Sequence, residues 1–92
     1  MKLQIKYLAQ ARYAAGIGAE SVDVSDPCSL ETLVRRLAEI HSDPLRKHLL
    51  AADGSLAHGI LLFVGDRQET NPGTVALHDG DVVTLMAPMA GG

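Results

Sequence analysis

The chain opens on a strict alternation: Leu3, Ile5 and Tyr7 fall on one side, and Lys2, Gln4 and Lys6 on the other. A period of two belongs to a strand with one face in a core, so a half-buried strand is predicted here. Residues 9–15 are good helix formers and stop at Gly16-Ile17-Gly18, which predicts one or two helical turns. Val22 and Val24 against Ser21 and Asp23 make a second, shorter alternation. Two strands this close in sequence pair most simply as an antiparallel ribbon. After the break at Asp26-Pro27, Ser29 is placed as an N-cap. Leu30, Leu33, Val34, Leu37 and Ile40 then recur at helical spacing, with Glu31, Arg35, Arg36 and Glu39 between them, which predicts the main helix over 30–40. Ser42-Asp43-Pro44 ends it and starts a shorter helix through Leu50, with Pro44 at its first position.

The second half reads as strands and turns. Residues 60–64 are a continuous apolar run bounded by glycines, predicted as a central strand. Gly65-Asp66 fits a tight hairpin turn into a brief edge segment at 67–69. Asn71-Pro72-Gly73 and Asp79-Gly80-Asp81 are further turns, and 82–86 is the last strand. Ala87, Pro88, Met89, Ala90, Gly91 and Gly92 then leave it as an uncharged, flexible tail. The order is that of a two-layer α+β domain: a mixed sheet with one main helix on one face, the opening and closing strands adjacent and parallel. One helix covers one face only, while 60–64 is apolar on both. The open face is therefore predicted to carry an apolar patch, with the adaptable Met86 near the tail, unless the short helix after Pro44 folds over it.

Composition narrows the function classes. Ninety-two residues make one domain, 1–92, too short for a dinucleotide-binding enzyme with a substrate domain. A net charge of −3 is the wrong sign for a nucleic-acid binder, and 3% aromatics leaves little for base stacking. No apolar run approaches the ~20 residues of a membrane span. The single cysteine, Cys28, makes no internal disulfide. Together these predict a cytoplasmic protein with no nucleic-acid and no membrane partner.

The familiar catalytic signals are missing. His41, His48, His58 and His78 have no metal-ligand spacing, and His41 and His48 are expected on solvated helix faces. Gly16-Ile17-Gly18 lacks its third glycine and runs into a strand, so it is no dinucleotide loop. Asp79-Gly80-Asp81 is explained by a turn, and Cys28 by a small buried filler. No nucleophile, base and oxyanion donor come together, so the chain is not expected to be an enzyme by itself.

The informative end is the C-terminus. A terminal Gly-Gly arises by chance in about 0.5% of chains of average composition. Here it follows a strong strand through a charge-free segment. Glycine has no Cβ, so such a pair can lie extended in a narrow channel and let another protein's groups approach the terminal carboxylate. A carboxylate is a poor electrophile and needs activation, for instance as an acyl-adenylate.

Leu77-His78-Asp79-Gly80-Asp81-Val82-Val83, followed by Ala87-Pro88-Met89-Ala90-Gly91-Gly92, resembles the end of the MoaD/ThiS sulfur carriers. That family carries a Leu-x-Asp-Gly-Asp-x-Val segment and a Pro-Pro-x-Ala-Gly-Gly tail. The opening from Ile5 to Arg12, closing on Gly16, is similar to the MoaD-type first strand and short helix. Ala87 stands in place of the first tail proline, and Gly65-Asp66 in place of the usual Asn-Gly turn. The resemblance implies a β-grasp (ubiquitin-like) fold and a Gly92 that is adenylated and converted to a thiocarboxylate. Gly91 then gives clearance beside it, and Met86, Ala87, Pro88, Met89 and Ala90 contact the partner. It implies an adenylating, ubiquitin-activating-like partner that uses ATP and magnesium, while the chain itself holds no cofactor or metal. It also implies a sulfur acceptor, foremost the large subunit of molybdopterin synthase; the segment 44–57 favours that branch over the shorter thiamine-thiazole carriers. Other thiolation, or attachment to protein lysines as a modifier, stays open. So does a ubiquitin-like binding module with an incidental Gly-Gly.

Overall fold

In the computed structural model, which describes residues 1–88, the opening alternation is met in full. Leu3, Ile5 and Tyr7 are at most 1% exposed. They belong to β1 (Lys2–Ala9), followed by α1 (Gln10–Ala15), β2 (Ala19–Asp23), α2 (Leu30–His41), α3 (Leu45–Leu49), β3 (Leu61–Val64), β4 (Arg67–Glu69), a 3-10 turn (Pro72–Thr74) and β5 (Val82–Ala87). The five strands form one sheet in the order β2-β1-β5-β3-β4. β1 and β5 run parallel, and the other neighbours run antiparallel.

α2 is held at its start by Ser29, whose hydroxyl accepts from the Thr32 N–H at 3.1 Å, with Glu31 in the first turn. It buries Leu30, Leu33, Val34, Leu37 and Ala38 against the β1 side chains, Leu62, Val83 and Leu85. Each such leucine is worth about 1.5–3 kcal/mol.

Several details differ from the sequence-based expectation. Ile40 is 47% exposed rather than part of the apolar stripe. At 3.6 residues per turn it lies roughly 90° off the stripe's middle, and position 41 falls near that middle instead. α3 begins at Leu45, one residue after Pro44. β3 is an inner strand but not the central one, and Ile60 lies outside it; the parallel pairing with β1 puts β5 in the middle. The predicted tail starting at residue 87 is also too early by one residue. Ala87 is the last residue of β5, opposite Ala9 and 5% exposed, because β1 continues alongside it.

α3 does not fold over the open face. It packs against α1 and α2 and puts Leu45 and Leu49 into the same core.

Candidate functional site at the exit of the last strand

The segment 77–83 acts as a register lock for β5. Leu77 is buried, and its N–H donates to the Cys28 carbonyl at 2.9 Å. The Asp79 carboxylate accepts the Lys2 backbone N–H at 2.7 Å, and the Asp81 carboxylate accepts the His78 N–H at 2.8 Å. Gly80, at φ 87°, turns the chain where a side chain would be strained, and its N–H donates to the Lys2 carbonyl at 2.8 Å. The Gln4 N–H then donates to the Asp81 carbonyl at 2.9 Å, and the parallel ladder runs from Gln4–Val82 to Ala9–Ala87. The Asp-Gly-Asp turn thus sets where β5 starts, and the strand length sets where the chain leaves the sheet.

That exit is at Ala87 and Pro88. Ala87 is anchored in the sheet, Pro88 is exposed, and Met86 is half-buried. The predicted site residues Met89, Ala90, Gly91 and Gly92 lie outside the described residues.

Across the sheet face opposite the helices, Leu8, Met86 and Leu61 lie side by side on three strands. Thr84 and Phe63 form the next row, with Lys6 at its flank. Leu8 is 41% exposed, and Leu61, Phe63 and Met86 are half-buried. The apolar patch expected from the 60–64 run is therefore present, and Met86 sits in it.

The sequence reading missed a polar cluster. His41 is not on a solvated face: its Nε2 meets the Glu20 carboxylate, and its ring stacks edge-on against Tyr7 with centroids 5.7 Å apart. The Tyr7 hydroxyl donates to the same Glu20 oxygen at 2.6 Å. Burial first, then the hydrogen bond to Glu20 and its negative charge, push the phenol's pKa up. The signal was available in the helical phase, since position 41 points inward and a polar ring there needs partners. The cluster ties β1, β2 and α2 together.

His48 is half-buried, and it lines with Lys47 and His58 a cleft beside Pro88. Cys28 is buried, its thiol donates to the Ser29 carbonyl at 3.4 Å, and burial pushes its pKa up, as suits a filler. Among the described residues no three His, Cys, Asp or Glu side chains are grouped to hold a metal, and no helix is long and apolar enough to cross a membrane.

No family model and no curated protein sequence matches the chain. Solved structures do. SAMP1, the small archaeal modifier protein 1 of Haloferax volcanii, superimposes with a TM-score of 0.86 at 23% identity over 100% of both chains. The chain is a ubiquitin-like β-grasp domain. Urm1 from Trypanosoma brucei has a TM-score of 0.75 at 22% identity, covering 99% of this chain and 95% of that one. A chain of the complex of subunits 1 and 2 of molybdopterin-converting factor from Helicobacter pylori has a TM-score of 0.64 at 18% identity over 100% of both. At these identities the likeness carries the fold. It agrees with the MoaD/ThiS resemblance seen in the sequence. In this β-grasp domain the middle strand β5 is the last described element, and the register lock at one end aims the exit at the other.

Proposed function

We propose that the chain is a sulfur carrier whose Gly92 carboxylate is the working group. In this reading an adenylating partner joins a Gly92 oxygen to the α-phosphate of ATP, with magnesium, and pyrophosphate leaves. A sulfide sulfur then attacks the acyl carbon and expels AMP, leaving a thiocarboxylate; where a persulfide attacks instead, the acyl disulfide is cleaved by a second thiol, which forms a disulfide with the donor and releases the thiocarboxylate. The sulfur passes to a pterin precursor held by the large subunit of a molybdopterin synthase. The observation that carries the proposal is the anchored exit: β5 holds Ala87 in the middle of the sheet, and an Ala-Gly-Gly segment ends five residues later. Five extended residues reach at most about 18 Å, enough to thread a partner's channel while the domain stays outside. The Helicobacter pylori complex of subunits 1 and 2 supports a protein acceptor of this kind. The open-face patch around Met86 is the docking surface.

The likeness to the small archaeal modifier protein favours a second reading, in which the activated Gly92 acylates a lysine amine instead. Intact mass after incubation with an adenylating enzyme, ATP and a sulfur source separates the outcomes. Exchange of one oxygen for sulfur, located at Gly92 by fragmentation, is expected for a carrier, and a lysine-linked conjugate for a modifier. No change with any adenylating partner leaves a binding module and refutes both.

A further inference from the structure

The cleft beside the exit is a charged feature that the carrier chemistry leaves unused. Lys47 and His48 of α3, His58 and Ile60 before β3, and Ala87 and Pro88 enclose about 240 Å3. Among the described residues its titratable lining is Lys47, His48 and His58, with no carboxylate. Arg35, Arg36 and Arg67 are each matched to a glutamate, whereas Lys47 makes no ion pair among the described residues. Asp53 lies outside that lining; its Oδ1 accepts from the Ser55 hydroxyl at 2.6 Å and the Ser55 N–H at 3.0 Å, bonds that hold its carboxyl ionised near His58. A chain of net charge −3 therefore presents the Lys47 ammonium, flanked by two imidazoles, at the place where the tail departs. Pro88 both lines the hollow and begins the tail, so a protein that takes in the residues after Pro88 brings its own surface against Lys47.

We propose that this cleft is a second contact for the protein that takes the tail, receiving an acidic segment of that partner. The proposal rests on the carrier reading and deepens it. The tail supplies the reacting carbon, and the patch around Met86 supplies apolar area. The cleft adds charge steering and fixes the rotation of the domain about the tail axis. Charges at an interface rim act chiefly on the association rate and are screened by salt.

The test is full-length Lys47→Glu with a purified adenylating partner, beside Lys47→Arg and Arg36→Glu. Arg36 makes the same change of net charge from α2, on a side chain paired with Glu39. Binding kinetics are read at low and high salt, with a thermal melt of each variant. Lys47→Glu is expected to weaken binding about fivefold at low salt, mostly through slower association, and the difference shrinks at high salt. Lys47→Arg keeps the wild-type affinity, Arg36→Glu has little effect, and the melts agree. No loss in Lys47→Glu, or an equal loss in Arg36→Glu, overturns the cleft proposal and leaves the carrier reading intact. A wild-type chain that neither binds an adenylating enzyme nor gains sulfur at Gly92 overturns both.

Discussion

Deleting Gly92 tests whether the tail is a ruler read from a fixed origin. The deletion moves the terminal carboxylate back by one extended residue, ~3.3–3.6 Å. The chain could recover the reach only by letting β5 slide, and the structure sets the cost of that. A one-residue slip turns Val83 and Leu85 out of the core and brings Val82, Thr84 and Met86 in. Val83 and Leu85 are both 0% exposed, and unburying two such side chains costs about 3–6 kcal/mol. That is a large part of the ~5–15 kcal/mol that holds a small domain together. A two-residue slip restores the faces but pulls the 79–81 turn off Lys2 and Gln4. The shortfall therefore stays in the tail. Since a misplacement of 1 Å can cost ~10²-fold in rate, sulfur transfer should fall by at least about that factor. The melting temperature should be unchanged, because nothing in the core is touched. The assay is a reconstituted transfer reaction with purified activating enzyme and acceptor, run beside a thermal melt. Wild-type accumulation of thiocarboxylate and wild-type transfer by the deletion variant would refute both the ruler and the carrier reading.

The remaining predictions concern the surface, the polar cluster and the turn. Met86→Asp puts a charge between Leu8 and Leu61 and should weaken partner binding by at least about tenfold with the fold intact; calorimetric titration and circular dichroism check this, and unchanged affinity for both partners removes the patch from the interface. Tyr7→Phe removes the hydroxyl that donates to Glu20 and should cost about 1–2 kcal/mol in urea unfolding at pH 7. Its pH dependence has a definite sign. The native phenol holds its proton above the ordinary value near 10 while the unfolded one releases it, so wild-type stability falls as pH rises past 10 and the Phe variant falls less. Gly80→Ala places a Cβ at φ 87° and should destabilise by about 1–2 kcal/mol; a melt indistinguishable from wild type would mean that the turn relaxes freely.

The local periodicities of the chain were enough for much of this molecule. The period-two alternation of Leu3, Ile5 and Tyr7 determined β1 and its buried face, and the spacing from Leu30 to Leu37 determined α2 with its Ser29 cap. The Gly65 and Gly80 turns were visible because positive φ selects glycine. The Asp-Gly-Asp segment and the Ala-Gly-Gly end pointed to the carrier group, since recognition there is written in consecutive residues. What spans distant parts of the chain was decided only in three dimensions. β5 becomes the middle strand because it pairs with β1, nearly eighty residues earlier, and that pairing draws Ala87 out of the tail and into the sheet. α3 joins α1 and α2 rather than the open face because Leu45 and Leu49 find space in the existing core. His41 is half-buried because its helix turns it toward Glu20, where a carboxylate and a phenol meet the imidazole. Lys47, His48 and His58 share a cleft with Pro88 for the same kind of reason: side-chain type is written in the sequence, but who stands beside whom is set by packing.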